Sequence, residues 1–151
     1  MGRIAQKGSE DIHIRNLAIA ITEQAAVRNR RDAQKNYNME AKALTDFVRE
    51  RIRYVRDIRS TEVLQTPQVT LSLNAGDCDD KSILLGALLA SIGHRVRFIA
   101  LSQYRGHYSH VWAQAWIDGR WVDMEPTEPI PYGSRVPHAG VVGYMTAEMP
   151  G

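Results

Sequence analysis

The chain contains a single cysteine and no long hydrophobic run. One cysteine excludes an internal disulfide and a multi-cysteine zinc site, so the lone thiol needs an explanation of its own. No stretch approaches the ~18–20 consecutive apolar residues of a membrane span, and the N-terminal segment lacks the apolar centre of a secretory signal. We therefore expect a cytoplasmic protein with no membrane partner.

With 151 residues, the chain has room for one domain, residues 1–151, built around a single core. Its hydrophobic fraction of 44% and charged fraction of 24% are those of a globular protein rather than a disordered one. The formal net charge is only +2, but arginines gather in two groups, Arg28, Arg30 and Arg31, then Arg49, Arg51, Arg53, Arg56 and Arg59. Because most charge runs are solvated helix faces, we do not expect nucleic acid to be a partner.

The first half of the chain favours helices. Loosely spaced apolar residues predict a first helix over about 9–33, with Ser9 as its N-cap. From Met39 to Arg56, apolar residues recur at three- and four-residue steps, which predicts a second, amphipathic helix. Residues 60–76 are rich in Thr, Gln, Asn, Pro and Gly without a helical period, so we interpret them as a long surface loop.

The clearest helix pattern runs from Asp77 to Ile92, where a polar first turn precedes apolar residues on most sides of the helix. This pattern predicts a central, buried helix. After it the period changes to two, which predicts strands over 96–100, 108–117 and 121–125.

Asp118-Gly119 is a two-residue hairpin turn, so the last two predicted strands should pair antiparallel. The fold class is therefore α+β: N-terminal helices and a central helix beginning at Cys78 pack on an antiparallel sheet of at least three strands. Beyond this core of about 40–127, prolines and glycines predict an extended tail over about 126–151 that wraps the domain or reaches a partner.

Cys78 is a candidate nucleophile because of its place in the first turn of a predicted helix. The backbone N–H groups and the positive end of the helix dipole favour a thiolate there, and the Cys78 N–H could also hold an oxyanion. Asp77, Asp79 and Asp80 add like charge, so a nearby imidazolium would be needed to offset them. The structural alternative is a buried, inert cysteine.

His110 is the best candidate for that imidazole, since it opens a predicted strand near one end of the sheet; His107 is its near rival. The hairpin turn sets a register in which Glu125 lies diagonally within reach of His110, with Asp123 one step further away. A carboxylate there would orient the imidazole. On these residues alone, a thiol site and a buried cysteine beside a satisfied histidine remain equally open.

Three short motifs follow one another along the chain: Gly76-Asp77-Cys78, His110-Val111-Trp112, and Trp121-Val122-Asp123-Met124-Glu125-Pro126-Thr127. Together they resemble the transglutaminase-like superfamily, with its papain-like cysteine fold, over about 40–127. The resemblance implies a triad of Cys78, His110 and Glu125. Glutamate stands where the family has aspartate, and Asp123 is the fallback acid.

The implied chemistry is thiol-dependent acyl transfer on an amide bond of a protein or peptide, with no cofactor and no metal ion. We expect a cysteine peptidase or amidase; the alternative is a protein cross-linking transglutaminase. Trp112 and Trp121 are candidates for the cleft or for substrate contact, and we favour core or cleft-wall aromatics over specific substrate readers. Asp77 and Asp79 are further cleft candidates, or stabilisers of the first helical turn.

The sequence Gly-Asp-Cys-Asp-Asp-Lys also resembles small transglutaminase-like proteins encoded by tailed phages and prophages. This resemblance implies a second class of function, a structural or assembly protein whose cleft is weak or vestigial. Its partners would be phage structural proteins, bound through the N-terminal helix or the C-terminal tail, and it could be incorporated into the particle.

Overall fold

A computed structural model of the chain describes residues 1–28, 36–56, 63–104, 107–137 and 143–149. The helices are α1 Gly2–Ser9, α2 Ile12–Arg28, α3 Tyr37–Arg51, α4 Pro67–Leu73 and α5 Cys78–Ser91. The strands are β1 Arg53–Tyr54, β2 Ala75–Gly76, β3 Val96–Tyr104, β4 His107–Ile117, β5 Arg120–Met124 and β6 Gly143–Glu148. Arg30, Arg31, Arg59, His138 and the end of the predicted first helix lie outside the described residues.

The central helix is α5, as the sequence predicts. Residues 80–89 are all buried, which matches an apolar pattern on most sides of the helix. The other helices pack against α5 on one side, and β3 and β4 pack against it on the other. The Ser82 hydroxyl donates to the Val111 carbonyl at 3.1 Å and ties the helix to β4. The fold is therefore α+β, with the helix that begins at Cys78 packed on the sheet.

The main sheet is antiparallel and has the strand order β5-β4-β3-β6. At the predicted hairpin turn, Asp118 and Gly119 both have positive φ, 51° and 82°, as a type I′ turn requires. The register follows from that turn: Ile117 pairs with Arg120, and Gln114 pairs with Asp123. The predicted pairing of the last two strands is confirmed.

The N-terminal helix prediction is wrong in one respect, because residues 9–28 do not form one helix. The chain forms α1 and α2 with a break at residues 10–11. Ser9 ends α1 and donates to the Gln6 carbonyl instead of capping a helix. Asp11 accepts from the backbone N–H groups of His13 and Ile14, so it performs the capping predicted for Ser9.

The second predicted helix ends at Arg51 rather than Arg56, since Arg53–Tyr54 leaves it to form β1. This strand pairs parallel with β2, directly before Cys78. The predicted loop over 60–76 is also wrong, because it contains α4. The Thr66 side chain caps α4, Pro67 occupies its first turn, and Asn74 ends it in the left-handed region.

The C-terminal tail is more ordered than the sequence suggests. Residues Gly143–Glu148 form β6, which pairs antiparallel with β3 and makes an edge of the main sheet. Residues 126–137 cross the outer side of the sheet, where Val136 packs with Ile99, Leu101 and Trp112. In the part of the chain that the structure describes, no helix is long and apolar enough to cross a bilayer.

Candidate active site

Cys78 is the first residue of α5 and is half-buried. At this position its backbone N–H has no carbonyl partner within the helix, and the positive end of the helix dipole faces the sulfur. The β1–β2 pair fixes the approach to the helix, since the Val55 N–H donates to the Gly76 carbonyl at 3.0 Å. The nucleophile candidate therefore lies at a helix N-terminus whose incoming backbone is anchored.

Asp77 and Asp80 form a capping box around the thiol-bearing turn. The Asp80 N–H donates to the Asp77 carboxylate at 3.0 Å, and the Asp77 N–H donates to the Asp80 carboxylate at 3.2 Å. Asp80 also accepts from the Gln65 N–H at 2.8 Å, and burial raises its pKa. A Cβ at Gly76 would lie 2.6 Å from the Asp80 Cβ, which explains the glycine. Of the three aspartates beside Cys78, two are thus committed to the helix end.

His110 lies between Cys78 and Glu125. Its Nε2 atom contacts the Glu125 carboxylate, and the Cys78 side chain is near enough to the imidazole to affect its pKa. With Nε2 facing Glu125, Nδ1 is the ring nitrogen left for the thiol. Burial opposes a charged ring, but the hydrogen bonds and negative charges of Cys78 and Glu125 outweigh it and raise the pKa of His110 to about 10.

Glu125 follows β5 directly and is only 3% exposed. One carboxylate oxygen faces His110, and the other accepts from the Thr127 N–H at 2.8 Å and the Glu128 N–H at 3.2 Å. These contacts fix the carboxylate against rotation. The extra methylene of glutamate, relative to the aspartate expected here, does not prevent contact with the imidazole.

Asp123, the fallback acid, has other partners. It accepts from the Trp112 indole N–H at 3.0 Å and from the Val136 N–H at 3.0 Å, and it also contacts the Gln114 amide. These bonds fasten the segment after β5 to the outer face of the sheet. The structure therefore brings Glu125, not Asp123, to His110.

The predicted cleft aromatics have two different surroundings. Trp112 is 1% exposed and stacks beside His110, with ring centroids 5.9 Å apart, so it is a core residue that supports the imidazole. Trp121 contacts Trp116 near the hairpin turn. At ~3.4 Å per residue, the six residues from His110 to Trp116 span about 20 Å, so Trp121 lies far from the thiol.

Tyr54 lies at the site, although the motifs gave it no role. Burial raises the pKa of Tyr54, and the negative charges of Cys78 and Asp77 act in the same direction. Tyr54 is half exposed and pairs with Gly76 in register. A lone tyrosine at a helix end carries no signal of its own, because only the β1–β2 pairing brings it to the thiol.

The other histidines that the structure describes have different surroundings or positions. His94 contacts Glu40 at 3.1 Å beyond the far end of α5, His13 is exposed on α2, and His107 begins β4. Among the described residues, no three His, Cys, Asp or Glu side chains come together in a way that could hold a metal ion.

The sequence model of the transglutaminase-like superfamily matches residues 23–126 of the chain. The fold, the helix-start cysteine and this match define the class: the chain belongs to the transglutaminase-like superfamily. Membership supports cysteine-dependent hydrolase or acyltransferase chemistry at the level of the family. No curated protein sequence matches this chain.

Two solved structures share the fold. A candidate cysteine protease from Cytophaga hutchinsonii is 19% identical, with a TM-score of 0.53, over 87% of this chain and 41% of that one. A candidate protease from Parabacteroides distasonis is 13% identical, with a TM-score of 0.65, over 98% of this chain and 28% of that one. This chain therefore spans less than half the length of either structure.

Proposed function

We propose that the protein is a cysteine peptidase or amidase that hydrolyses an amide bond through Cys78, His110 and Glu125. One observation carries the proposal: Nε2 of His110 contacts a buried carboxylate, and the Cys78 side chain at the N-terminus of α5 is near enough to the imidazole to raise its pKa. A buried cysteine of purely structural use needs neither a charged imidazole nor a carboxylate fixed by two backbone N–H groups.

His110 and Glu125 have separate roles in the proposed reaction. Because the pKa of His110 is about 10, the ring is protonated at neutral pH and can stabilise the Cys78 thiolate as an ion pair. The thiolate attacks the amide carbonyl carbon, a C–S bond forms, and the carbonyl electron pair moves onto oxygen. The Cys78 backbone N–H and the helix N-terminus stabilise that oxyanion.

Collapse of the tetrahedral intermediate breaks the C–N bond, and the leaving amine takes its proton from His110. The now neutral imidazole then removes a proton from water, which attacks the thioester carbonyl. The C–S bond breaks, a carboxylic acid is released, and the thiolate and imidazolium are restored. An amine in place of water would make the same site a transferase.

The proposed substrate is a protein or peptide. Cys78 is half-buried rather than enclosed, and the half-exposed Tyr54 pairs with Gly76 two residues before it, which supports the approach of an extended chain to this helix end. Names of the two similar structures, a cysteine protease and a protease, agree with this substrate class. The phage assembly role and the cytoplasmic location stay predictions.

The proposal is tested by trapping the acyl-enzyme. The protein is incubated with peptide p-nitroanilides and with p-nitrophenyl acetate, and intact-mass and peptide-mapping spectrometry locate the acyl group. We expect a hydroxylamine-sensitive adduct at Cys78 and release of p-nitroaniline by the wild type. Cys78→Ser is the inactive control, and Lys42→Met is a surface variant that should behave as the wild type.

The same assay separates water from amine as the second reactant. Adding a primary amine such as glycine methyl ester should leave the free acid as the main product of a hydrolase, whereas a transglutaminase would yield mostly the amide. Absence of any adduct at Cys78 with every donor would contradict the proposal and favour a vestigial cleft.

A further inference from the structure

Lys81 is the most unexpected side chain in α5, because it is buried at 2% exposure in the middle of apolar packing. It lies one turn after Cys78, and its Nζ atom donates to the Ile52 carbonyl at 2.8 Å and approaches the Arg49 carbonyl at 3.5 Å. Both carbonyls belong to the C-terminal end of α3, where the negative end of the helix dipole favours a cation. Lys81 thus links α5, the helix that begins at Cys78, to the C-terminal end of α3.

Arg49, also near the end of α3, connects this helix to Glu125. Its guanidinium donates to the Glu125 carbonyl from Nη2 at 2.6 Å and from Nε at 3.2 Å, and Nη2 also reaches the Ile130 carbonyl at 2.8 Å. The backbone on both sides of the Pro126–Pro129 segment is therefore held by one side chain. The Glu125 carboxylate accepts from the Thr127 and Glu128 N–H groups of this same segment, so holding the segment also helps to position the carboxylate.

The pKa of Lys81 responds to both Arg49 and Glu125, the two residues linked by these hydrogen bonds. Burial lowers the pKa of Lys81, while the negative charge of Glu125 acts in the opposite direction and the positive charge of Arg49 acts with burial. Arg49 lies between the two groups, since its carbonyl is 3.5 Å from the Lys81 Nζ and its guanidinium donates to the Glu125 carbonyl, and Lys81 and Glu125 make no direct ion pair. Burying an amino group in an apolar helix is costly, and a leucine there would pack without that cost. A function for the amine offsets this cost.

We propose that Lys81, whose side chain is anchored on the end of α3, and Arg49, whose side chain extends from that end to the Glu125 carbonyl, form a two-residue brace that positions Glu125 against His110. The brace links the helix that carries the nucleophile to the loop that carries the acid. Neither residue contacts the reacting atoms, so both are positioning residues rather than catalytic ones. The proposal rests on the proposed function, since its purpose is to align that triad.

The test is Lys81→Met, which keeps the length and volume of the side chain and removes the amine. Lys42→Met, at an exposed site on α3, is the matched control. The pH titration of His110 is followed by NMR on ring-labelled protein, without any substrate. We expect the apparent pKa of His110 to fall from about 10 towards 6.5 in Lys81→Met and to stay unchanged in Lys42→Met.

The kinetic expectation is a loss in kcat of about 100-fold with little change in KM, because misplacement of a catalytic group by about 1 Å costs that much. Lys81→Arg, which restores a cation in the same place, should recover part of the loss. An unchanged His110 titration in a folded Lys81→Met protein would overturn the proposal. A lower kcat with that titration unchanged would show a structural role only and would also overturn it.

Arg49→Lys provides a second test should Lys81→Met fail to fold. It keeps the charge but removes the forked grip on the Glu125 carbonyl. The brace predicts a lowered His110 pKa in this variant as well, and an unchanged value would contradict it. Because these titrations need no turnover, they are informative even if no substrate is hydrolysed, which separates failure of the brace from failure of the proposed function.

Discussion

The hairpin of β4 and β5 has two ends with different surroundings. At its turn end, Trp116 and Trp121 meet edge to face at 5.3 Å, and the guanidinium groups of Arg95 and Arg97 lie 5.2 and 4.2 Å from the Trp121 ring centroid. Trp116 is 41% exposed there. These cation–π contacts form in solvent, where each contributes about 0.5–1 kcal/mol.

At its open end, the same face of β4 carries His110, and the chain after β5 brings Glu125 to it. This end lies beside the N-terminus of α5, and the acid is almost fully buried. Strand alternation decides only which face a side chain takes. A helix N-terminus and a buried, oriented carboxylate then make the open end the candidate active site.

The largest difference in kcat/KM should come from alanine substitutions of the ring-bearing side chains at the two ends. His110→Ala removes the acid–base group, so we expect kcat/KM to fall by about 1000-fold with the substrate found in the trapping assay. Trp116→Ala at the turn end should leave kcat/KM within about twofold. Equal losses in the two variants would contradict the division of the hairpin.

Substitutions of Glu125 and Asp123 should have the next largest effects, on kcat/KM and on stability respectively. Glu125→Gln keeps the shape but removes the charge that holds the imidazolium, so kcat/KM should fall about 100-fold and the pKa of His110 should fall with it.

Asp123→Asn should instead weaken the bonds to Trp112 and Val136 and lower the free energy of unfolding by about 1–3 kcal/mol, measured by urea denaturation. Its His110 titration should stay close to that of the wild type. The reverse assignment of the two effects would make Asp123 the acid.

The dependence of stability on pH tests the raised pKa of His110 without a substrate. The folded pKa of His110, about 10, lies above its ordinary value of 6.5, so the charged ring stabilises the fold. That contribution is fully present below about pH 6.5 and is lost as the pH rises through about 10. Urea denaturation should therefore show a steeper decline of stability over this interval in the wild type than in His110→Ala. Parallel curves would contradict the raised pKa.

The smallest effect should come from Trp121→Ala, which removes the ring beneath Arg95 and Arg97. We expect a loss of about 1 kcal/mol in the free energy of unfolding, measured by urea denaturation, and kcat within about twofold of the wild type. A large loss of kcat in a stable variant would mean that the turn end contacts substrate.

Local patterns in the sequence predict the centre of this fold well. The apolar run after Cys78 gives α5, and the Asp118-Gly119 turn fixes the register of β4 and β5. The same register leads to the proximity of His110 and Glu125. These features depend on helical period and turn chemistry, which act within about ten residues.

Other elements depend on contacts distant in sequence. The strand β6 has no strong pattern of its own and exists through pairing with β3 some forty residues earlier. The short helix α4 did have local signals, since Thr66, Pro67 and Asn74 are its cap, first turn and end, but its apolar period is too short to detect. From the sequence alone, Lys81 would be predicted to lie on the surface. Its burial depends on packing against the C-terminal end of α3, which is distant in sequence.

The central claim is that Cys78 and His110 act as an ion pair supported by Glu125, and the rate of Cys78 alkylation by iodoacetamide at pH 6 tests it most directly. The wild type should react much faster than a free thiol such as glutathione at that pH, and His110→Ala and Glu125→Gln should each slow the reaction. Ordinary thiol kinetics in the wild type, unchanged by either substitution, would contradict the account.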